Sequence, residues 1–497
     1  MSAGFVRDRR AGLALAVIAL LAPLAGCGAD EAGVTAESYG SLSSPTPGTD
    51  GNELIADTDV PSGGFDDGFP LDADKPTRDY DRFLVDAIDD IQQFWRDNYE
   101  TAYANDGSYP DLLGGVHPAY PERTSGLPSG CEFTGDYADV EDNAFYCDEG
   151  DFIVYDDSGL FPQFADEFGP VTVAVIMAHE WGHAIQSSHR HDVLYSFVST
   201  TLELQADCFA GAWVGHVRSE GLNGYSISQS DITGALLGLV QIGDAPGGSA
   251  YDPLAHGSAF DRVSAFQDGF TGGLTPCVDY ETNEPQPLQF GFTAEELSRP
   301  NPGDFPFGDE MFVSMRDDLK VFWDAVVSDD ANFTPPELTL VDSAEPQCPD
   351  GSGSNVVRGV LWCRDANEVV ISLPVARDFY DLVPGDFSVA YLIGLGYAEA
   401  VQDAIDTGLD SADRALLDDC MVGMWSSDIL PFNTQPVVPD TETTPRIVLS
   451  PGDLDEAIRT ALLLGDAAGD RRFGTPFEKV DAFRQGVLFG RDGCFGG

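Results

Sequence analysis

Apolar positions in the N-terminal half of the chain follow two different periods. A helical period covers residues 83–97, so we expect a helix there. Residues 143–155 are rich in β-branched and aromatic side chains that partly alternate with polar ones, so we expect a strand there. Pro170 precedes a long apolar run and suits the first turn of a helix, so we expect a buried helix over 171–186. Further helices are expected over 195–218, 232–242 and 260–270. Helices combined with a small sheet predict an α+β fold.

Two stretches without apolar periodicity divide the chain. Residues 28–75 are rich in Gly, Ser, Thr, Asp and Pro and are expected to form a flexible tether. Residues 281–309 are rich in proline and are expected to link two domains. The predicted domains are therefore 76–280 and 310–497.

These two domains share a collinear set of residues. DCFAGAW at 207–213 corresponds to DCMVGMW at 419–425, and the segment from Cys147 to Gln186 aligns without a gap with the segment from Cys363 to Gln402. Glycine, phenylalanine and cysteine positions over 257–277 recur in the same order over 474–494. So many matches predict an internal duplication, with two tandem copies of one domain.

The N-terminus resembles the leader of an exported lipoprotein. Three arginines precede an apolar run over 13–24, which is short for a membrane span and leads into Ala-Gly-Cys at 25–27. We expect residues 1–27 to be a signal peptide with lipidation at Cys27, which would anchor the protein at the outer face of the cell membrane. An ordinary cleaved signal or an uncleaved anchor helix is the alternative.

Charge and cysteine content agree with export. The 84 acidic and 25 basic residues give a net charge of −59, which repels nucleic acid and anionic lipid, so neither is expected as a partner. Eight cysteines remain besides Cys27, four in each predicted domain, and they favour an oxidising compartment. Each set of four allows three connectivities. We expect Cys131–Cys147 and Cys348–Cys363 across short loops, which leaves Cys208–Cys277 and Cys420–Cys494.

The predicted buried helix contains His179-Glu180-Trp181-Gly182-His183. Histidines four residues apart lie on one face of a helix, so both imidazoles can reach a single ion, and zinc accepts neutral nitrogen ligands while keeping a position open. Glu180 is placed to accept a proton from water rather than to bind the metal. The competing explanation is a chance match, which the small number of histidines in the chain disfavours.

Glu203 and Asp207 lie on one face of the next predicted helix. Glu203 would complete a His₂Glu ligand set, and Asp207 would accept the N–H of a ligand histidine and fix its tautomer. The alternative for Glu203 is a capping box with Thr200.

The strings AHEWGHAIQ, ELQADCFAGAW and HGSAFDRVSAFQDGF resemble the neutral zinc metallopeptidase family of bacteria. The resemblance covers residues from about 90 to 280 and, more faintly, 310 to 495. It implies a zincin-like fold, one zinc ion and hydrolysis of peptide bonds. On matching motif positions it makes His179, His183 and Glu203 the zinc ligands and Glu180 the catalytic base.

His256 opens the HGS segment and is a candidate for stabilising the oxyanion of the transition state. A structural histidine that caps the following helix is an equally weighted alternative. In the second copy the site positions hold Leu395, Gly396, Glu399, Ala415 and Phe473. We therefore expect one zinc per chain, and a second copy in which Leu395 and Phe473 fill the vacated space.

Taken together, these patterns predict an exported, lipid-anchored zinc metallopeptidase that acts on peptides or proteins outside the cytoplasm. A non-catalytic binding or scaffold lipoprotein of the cell envelope is the main alternative, because the second copy shows that the domain tolerates loss of its chemistry. Hydrolysis of a non-peptide amide is a third reading.

Overall fold

The computed structural model describes residues 14–18 and 75–496, apart from 105, 108, 110, 191–198, 253, 300–301, 328–332, 350, 352, 442–443 and 466–472. Cys27 and nearly all of the predicted tether lie outside these residues, and of the predicted signal peptide only Ala14–Ile18 is described. None of the described helices is both long and apolar enough to cross a membrane.

The first half of the chain mixes helices with one small sheet, which confirms the predicted α+β class. Its elements in chain order are β1 (Ala14–Ile18), α1 (Asp81–Ala102), β2 (Gly115–Ala119), β3 (Asn143–Cys147), β4 (Phe152–Asp156), α2 (Leu160–Phe168), α3 (Pro170–Arg190), α4 (Ser199–Glu220), α5 (Gln229–Gln241), α6 (Ala259–Gly272) and α7 (Leu274–Asp279).

The sheet of this half has the strand order β1-β3-β4-β2. We expected a single strand over 143–155, and that prediction was wrong: β3 and β4 are two antiparallel strands that pair from Ala144↔Tyr155 to Cys147↔Phe152. A polar turn joins them, and Asp151 in that turn has a φ of 51°. β2 lies parallel to β4 on its other side, and the sequence analysis did not predict it.

Helix α3 is buried on nearly all sides between β3, α1 and α4, which explains its apolar sequence. Gly182 lets α3 and α4 approach closely, because a Cβ at this position would lie 2.9 Å from the Cα of Ala206. The side chains of α3 and α4 next to this crossing can therefore share one small space. His183 on α3 and Glu203 on α4 both lie close to it in the chain.

The second half contains α8 (Asp309–Val326), β5 (Glu337–Val341), β6 (Ser354–Val357), β7 (Val360–Cys363), β8 (Glu368–Ser372), α9 (Leu373–Leu382), α10 (Phe387–Ile405), α11 (Ser411–Asp428), α12 (Asp453–Leu464) and α13 (Pro476–Phe495). Its sheet has the order β5-β8-β7-β6, in which β5 is parallel to β8 and the other neighbours are antiparallel.

Several contacts of the first half recur in the second half at the aligned residues. The indole N–H of Trp213 donates to Asp90 at 2.8 Å, and that of Trp425 donates to Asp318 at 2.8 Å. A Cβ on Gly211 would lie 2.0 Å from the carbonyl oxygen of Phe266, and one on Gly423 would lie 2.0 Å from the carbonyl oxygen of Phe483. The helix pairs α4–α6 and α11–α13 are therefore held by the same kind of contact.

The two halves pack against each other. The backbone N–H of Phe260 on α6 donates to Asp455 on α12 at 2.9 Å, and Gln267 donates to the carbonyl oxygen of Phe477 at 3.0 Å. Arg484 on α13 forms an ion pair with Asp268 on α6. Buried apolar side chains of both halves belong to one continuous core.

Four disulfides pair as expected from the sequence. They are Cys131–Cys147, Cys208–Cys277, Cys348–Cys363 and Cys420–Cys494. The two long disulfides have sequence separations of 69 and 74 residues. By restricting the unfolded chain, each one stabilises the folded state by about 4 kcal/mol at room temperature in the chain-entropy description.

Candidate metal centre

Three potential metal ligands converge where α3 crosses α4. The Nε2 atoms of His179 and His183 lie 3.1 Å apart, and the carboxylate oxygens of Glu203 lie 3.2 and 3.5 Å from them. All three side chains are buried, and their ligand atoms form a group that could hold a metal ion. The structure thus brings together the three residues that the sequence analysis proposed as ligands.

The tautomer of His179 is fixed by a buried ion pair. Its Nδ1 lies 2.8 Å from Asp207 Oδ1, so the Nδ1–H donates to this carboxylate. Arg262 from α6 holds both oxygens of Asp207, with contacts of 2.8 and 2.9 Å. Burial tends to raise the pKa of Asp207, but the charges of Arg262 and His179 hold it below its usual value, so the carboxylate stays ionised. The Nε2 of His179 is left with its lone pair toward the centre.

A chain of amides fixes the tautomer of His183. Gln205 donates its side-chain N–H to the carbonyl oxygen of Cys277 at 2.9 Å, so its Oε1 accepts from the amide N–H of Gln186 at 3.0 Å. The Oε1 of Gln186 must then accept from Nδ1–H of His183 at 2.9 Å. A backbone carbonyl, which can only accept, thereby sets the direction of every hydrogen bond up to His183, whose Nε2 also keeps its lone pair.

When both imidazoles are neutral, two nitrogen lone pairs and a carboxylate therefore face one another. Glu203 Oε2 is buried without a hydrogen-bond donor, and such an arrangement is repulsive unless a cation lies between the groups. Burial lowers the pKa of His179, yet the Asp207 and Glu203 carboxylates raise it above its usual value, so the centre favours positive charge. The separations match the edge of about 3.3 Å expected for nitrogen ligands of tetrahedral zinc. The residues present fit a zinc ion with one open position.

Glu180 lies beside this group but differs from it in its hydrogen bonding. Its Oε2 accepts from the backbone N–H of Tyr146 on β3 at 2.9 Å, whereas its Oε1 is buried with no partner. Burial raises the pKa of Glu180 to about 8. Strand β3 thus holds one oxygen in place and leaves the other for a proton. Tyr146 was not singled out from the sequence, because a backbone donor leaves no mark in the residue type.

His256 lies in the loop before α6 and its side chain is buried. The charge of His256 contributes to lowering the pKa of Glu203. Its backbone N–H and that of Gly257 donate to Asp244, and its Nδ1 lies 3.5 Å from the same carboxylate. The alternative of a helix cap was wrong, because Ser258 is the N-cap of α6. A positively charged or donating imidazole beside a metal group is suited to stabilising negative charge.

The positions of the second half that align with the ligands do not form a His-His-Glu group. Elsewhere in this part of the chain, the carboxylates of Asp304, Asp453 and Glu456 lie close enough together to hold a cation. Leu395 and Ala415 occupy two of the ligand positions and are buried, while Glu399 pairs with Arg414 at 2.9 Å. Our expectation that the vacated space is filled was wrong in part. Leu395 is buried as expected, but Phe473 lines a cavity of about 550 Å³ that remains open here.

Sequence comparisons find relatives for the first half. A model of the family described as "Putative neutral zinc metallopeptidase" matches residues 129–280, which include His179, Glu180, His183 and Glu203. The uncharacterized protein YpfJ of Escherichia coli is 29% identical over 150 residues, and the uncharacterized protein Rv2575 of Mycobacterium tuberculosis is 30% identical over 182 residues. These matches cover 26% and 31% of this chain, and 50% and 61% of the respective relatives. No solved structure matches. Residues 129–280 are thus similar to a family of zinc metallopeptidases, and that segment contains the His-His-Glu group.

Proposed function

We propose that this protein is a zinc-dependent metallopeptidase that hydrolyses peptide bonds at the centre formed by His179, His183 and Glu203. The observation that carries the proposal is the pair of imidazole lone pairs facing a carboxylate, beside a glutamate with one unpartnered oxygen. The family match over residues 129–280 supports peptides as the substrate class.

Different residues of the chain have different roles in the proposed reaction. A zinc ion held there would supply Lewis acidity that polarises a carbonyl group and acidifies water. Glu180 accepts the proton of the attacking water at Oε1, since Oε2 is held by the N–H of Tyr146. Once protonated, the Glu180 carboxyl can pass the same proton on to the leaving amine and return to its ionised form. His256, oriented by Asp244, donates to the oxyanion.

We further propose that the protein is exported, lipid-anchored at Cys27 and built by duplication of one domain. The basic and apolar leader followed by Ala-Gly-Cys supports the lipid anchor. The two disulfides in each half support an oxidising compartment. The recurrence of the Trp–Asp contact in both halves supports the duplication. The second half then retains the scaffold while its metal ligands are replaced.

Metal analysis combined with digestion of a peptide library tests the proposal. Glu180→Gln should keep one zinc per chain and lose nearly all turnover, because it removes the base and leaves the ligands. His183→Ala should lose the metal as well. Glu167→Gln, which changes an exposed glutamate of the same half, is the matched control and should behave as the unchanged protein. Comparable cleavage by the unchanged protein and Glu180→Gln would refute the peptidase.

A further inference from the structure

The open cavity of the second half occupies the place that the metal group has in the first half. Three of its lining residues, Glu399, Ala415 and Phe473, stand at the positions aligned with His183, Glu203 and His256. Its volume of about 550 Å³ lies within the range of pockets that bind small ligands. The remaining lining residues are Ser354, Val356, Val357, Arg358, Ser411, Arg414 and Asp418.

The supporting frame around this cavity matches the frame around the metal group. Gln402 donates to the carbonyl oxygen of Arg414 and to Asp418, both at 2.7 Å, in the way that Gln186 donates to the carbonyl oxygen of Leu202 and to Gln205. Beneath it, Lys479 pairs with Asp419 at 2.6 Å, as Arg262 pairs with Asp207. The cavity is thus held by an ordered scaffold rather than left by a loss of packing.

The charged residues that line the cavity are Arg358, Glu399, Arg414 and Asp418. Arg414 is held between Glu399 at 2.9 Å and Asp403 at 3.3 Å, so its charge is already balanced. Asp418 is only 3% exposed, accepts a hydrogen bond from Gln402 and forms no ion pair with a described lysine or arginine. A buried carboxyl without a cation is costly, and burial together with Glu399 raises its pKa well above the usual value. A ligand that brings a cation relieves this cost.

The other lining residues indicate which groups the ligand carries next to its cation. Val356, Val357, Ala415 and Phe473 offer apolar surface. β6 is the edge strand of its sheet and pairs on one side with β7, and no other described strand pairs with its outer edge, which is where an extended peptide can add. The site therefore combines a carboxyl for an ammonium group, an apolar wall and a strand edge.

We propose that the second half binds the amino terminus of a peptide whose first side chain is apolar, with the ammonium group at Asp418 and Glu399 and the side chain against Phe473 and the valines of β6. The inference does not depend on the metal chemistry of the first half. If that chemistry is peptide hydrolysis, each cleavage releases one new amino terminus, so products of the first half are among the ligands of the second. A primary ammonium group also occurs on lysine side chains, and the test separates these two sources.

Isothermal titration of the whole chain carrying Glu180→Gln, which prevents hydrolysis, tests this site with Leu-Ala-Ala-amide as the probe. Acetylating the amino terminus of the probe should weaken binding about tenfold or more, because it removes the charged donor. Nα-acetyl-lysine amide should bind at least tenfold more weakly than the tripeptide. Removal of zinc by a chelator should leave the affinity unchanged, which separates this result from the outcome for the peptidase.

Variants locate the binding site on the protein. Asp418→Asn keeps the acceptor for Gln402 and should weaken binding about tenfold or more, and Phe473→Ala should weaken binding of the leucine peptide more than that of an alanine peptide. Asp365→Asn makes the same charge change at an exposed position of the same half and should have no effect. Equal binding of free and acetylated peptides, or no binding of the tripeptide at all, overturns the proposal. Tighter binding of the lysine derivative overturns the assignment to an amino terminus.

Discussion

Gln186 is the residue whose replacement tests most directly how the metal centre is oriented. It makes three buried hydrogen bonds: it accepts from His183 at 2.9 Å, donates to the carbonyl oxygen of Leu202 at 2.8 Å and donates to Gln205 at 3.0 Å. Gln186→Met keeps the length of the side chain and removes all three bonds. His183 then has no acceptor that fixes its tautomer, so its Nε2 no longer presents a lone pair in every molecule.

The expected size of the effect follows from the number and kind of bonds lost. Loss of an acceptor behind a ligand histidine lowers metal affinity 10- to 100-fold, which is about 1.4–2.7 kcal/mol. Each buried polar group that is left unpaired costs about 1–3 kcal/mol of unfolding free energy, and the three groups share one region, so we expect about 2–4 kcal/mol in total. Gln186→Met should therefore weaken zinc binding and destabilise the apo protein as well.

The second half provides a matched control at Gln402. This residue also makes three hydrogen bonds, to the carbonyl oxygen of Arg414, to Asp418 and from Thr407, and it lies at the aligned position. Gln402→Met should cost a similar unfolding free energy and leave zinc affinity unchanged. Zinc affinity is measured by competition with a chromophoric chelator, and stability by urea denaturation of the zinc-free chains. Equal zinc affinities of the two variants would refute the orientation by Gln186.

Three further predictions concern stability. Arg262→Met leaves a buried carboxylate unpaired and should cost about 3–5 kcal/mol in urea denaturation while also weakening zinc binding, whereas Lys479→Met should cost a comparable amount with no effect on zinc. Replacing Cys208 and Cys277 together by alanine should lower the unfolding free energy by about 4 kcal/mol, and a loss below 1 kcal/mol would contradict the pairing. Burial raises the pKa of Asp386 to about 7, so the folded chain binds this proton more tightly than the unfolded chain and loses stability as the pH rises from about 4 to about 7. In buffer without divalent cations, Asp386→Asn should therefore raise the melting temperature more at pH 8 than at pH 5.

The sequence identified most of the helices because their signals are local. Pro170 begins α3 as predicted, and the helix predicted over 260–270 is α6 (Ala259–Gly272). The strand predicted over 143–155 was wrong because an apolar run does not show where the chain reverses, and the polar residues between β3 and β4 were not taken as a turn. β2 and α2 were missed because elements of only 5 and 9 residues give short signals.

The candidate ligands could be named from residue types and spacing, since histidines four residues apart must share a helix face. The roles of Gln186, Gln205 and Arg262 could not be named, although all three lie within the motifs. Their importance depends on which groups they meet across α3, α4 and α6, and contacts between residues far apart in the chain leave no periodic pattern. The role of Tyr146 could not be predicted either, because its backbone N–H and not its side chain contacts Glu180.

By itself, the sequence determined the α+β class, the disulfide pairs and the identity of the residues around His179, because secondary structure and ligand chemistry are carried by residue type and short spacing. Only the tertiary structure decided the proton positions on the two ligand histidines. That of His183 is set by the carbonyl oxygen of Cys277 through Gln205 and Gln186, and that of His179 is set by Asp207. It also decided that the second half keeps an open cavity instead of a filled one, since the volume between packed helices depends on their separation and not on the hydrophobicity of any single residue.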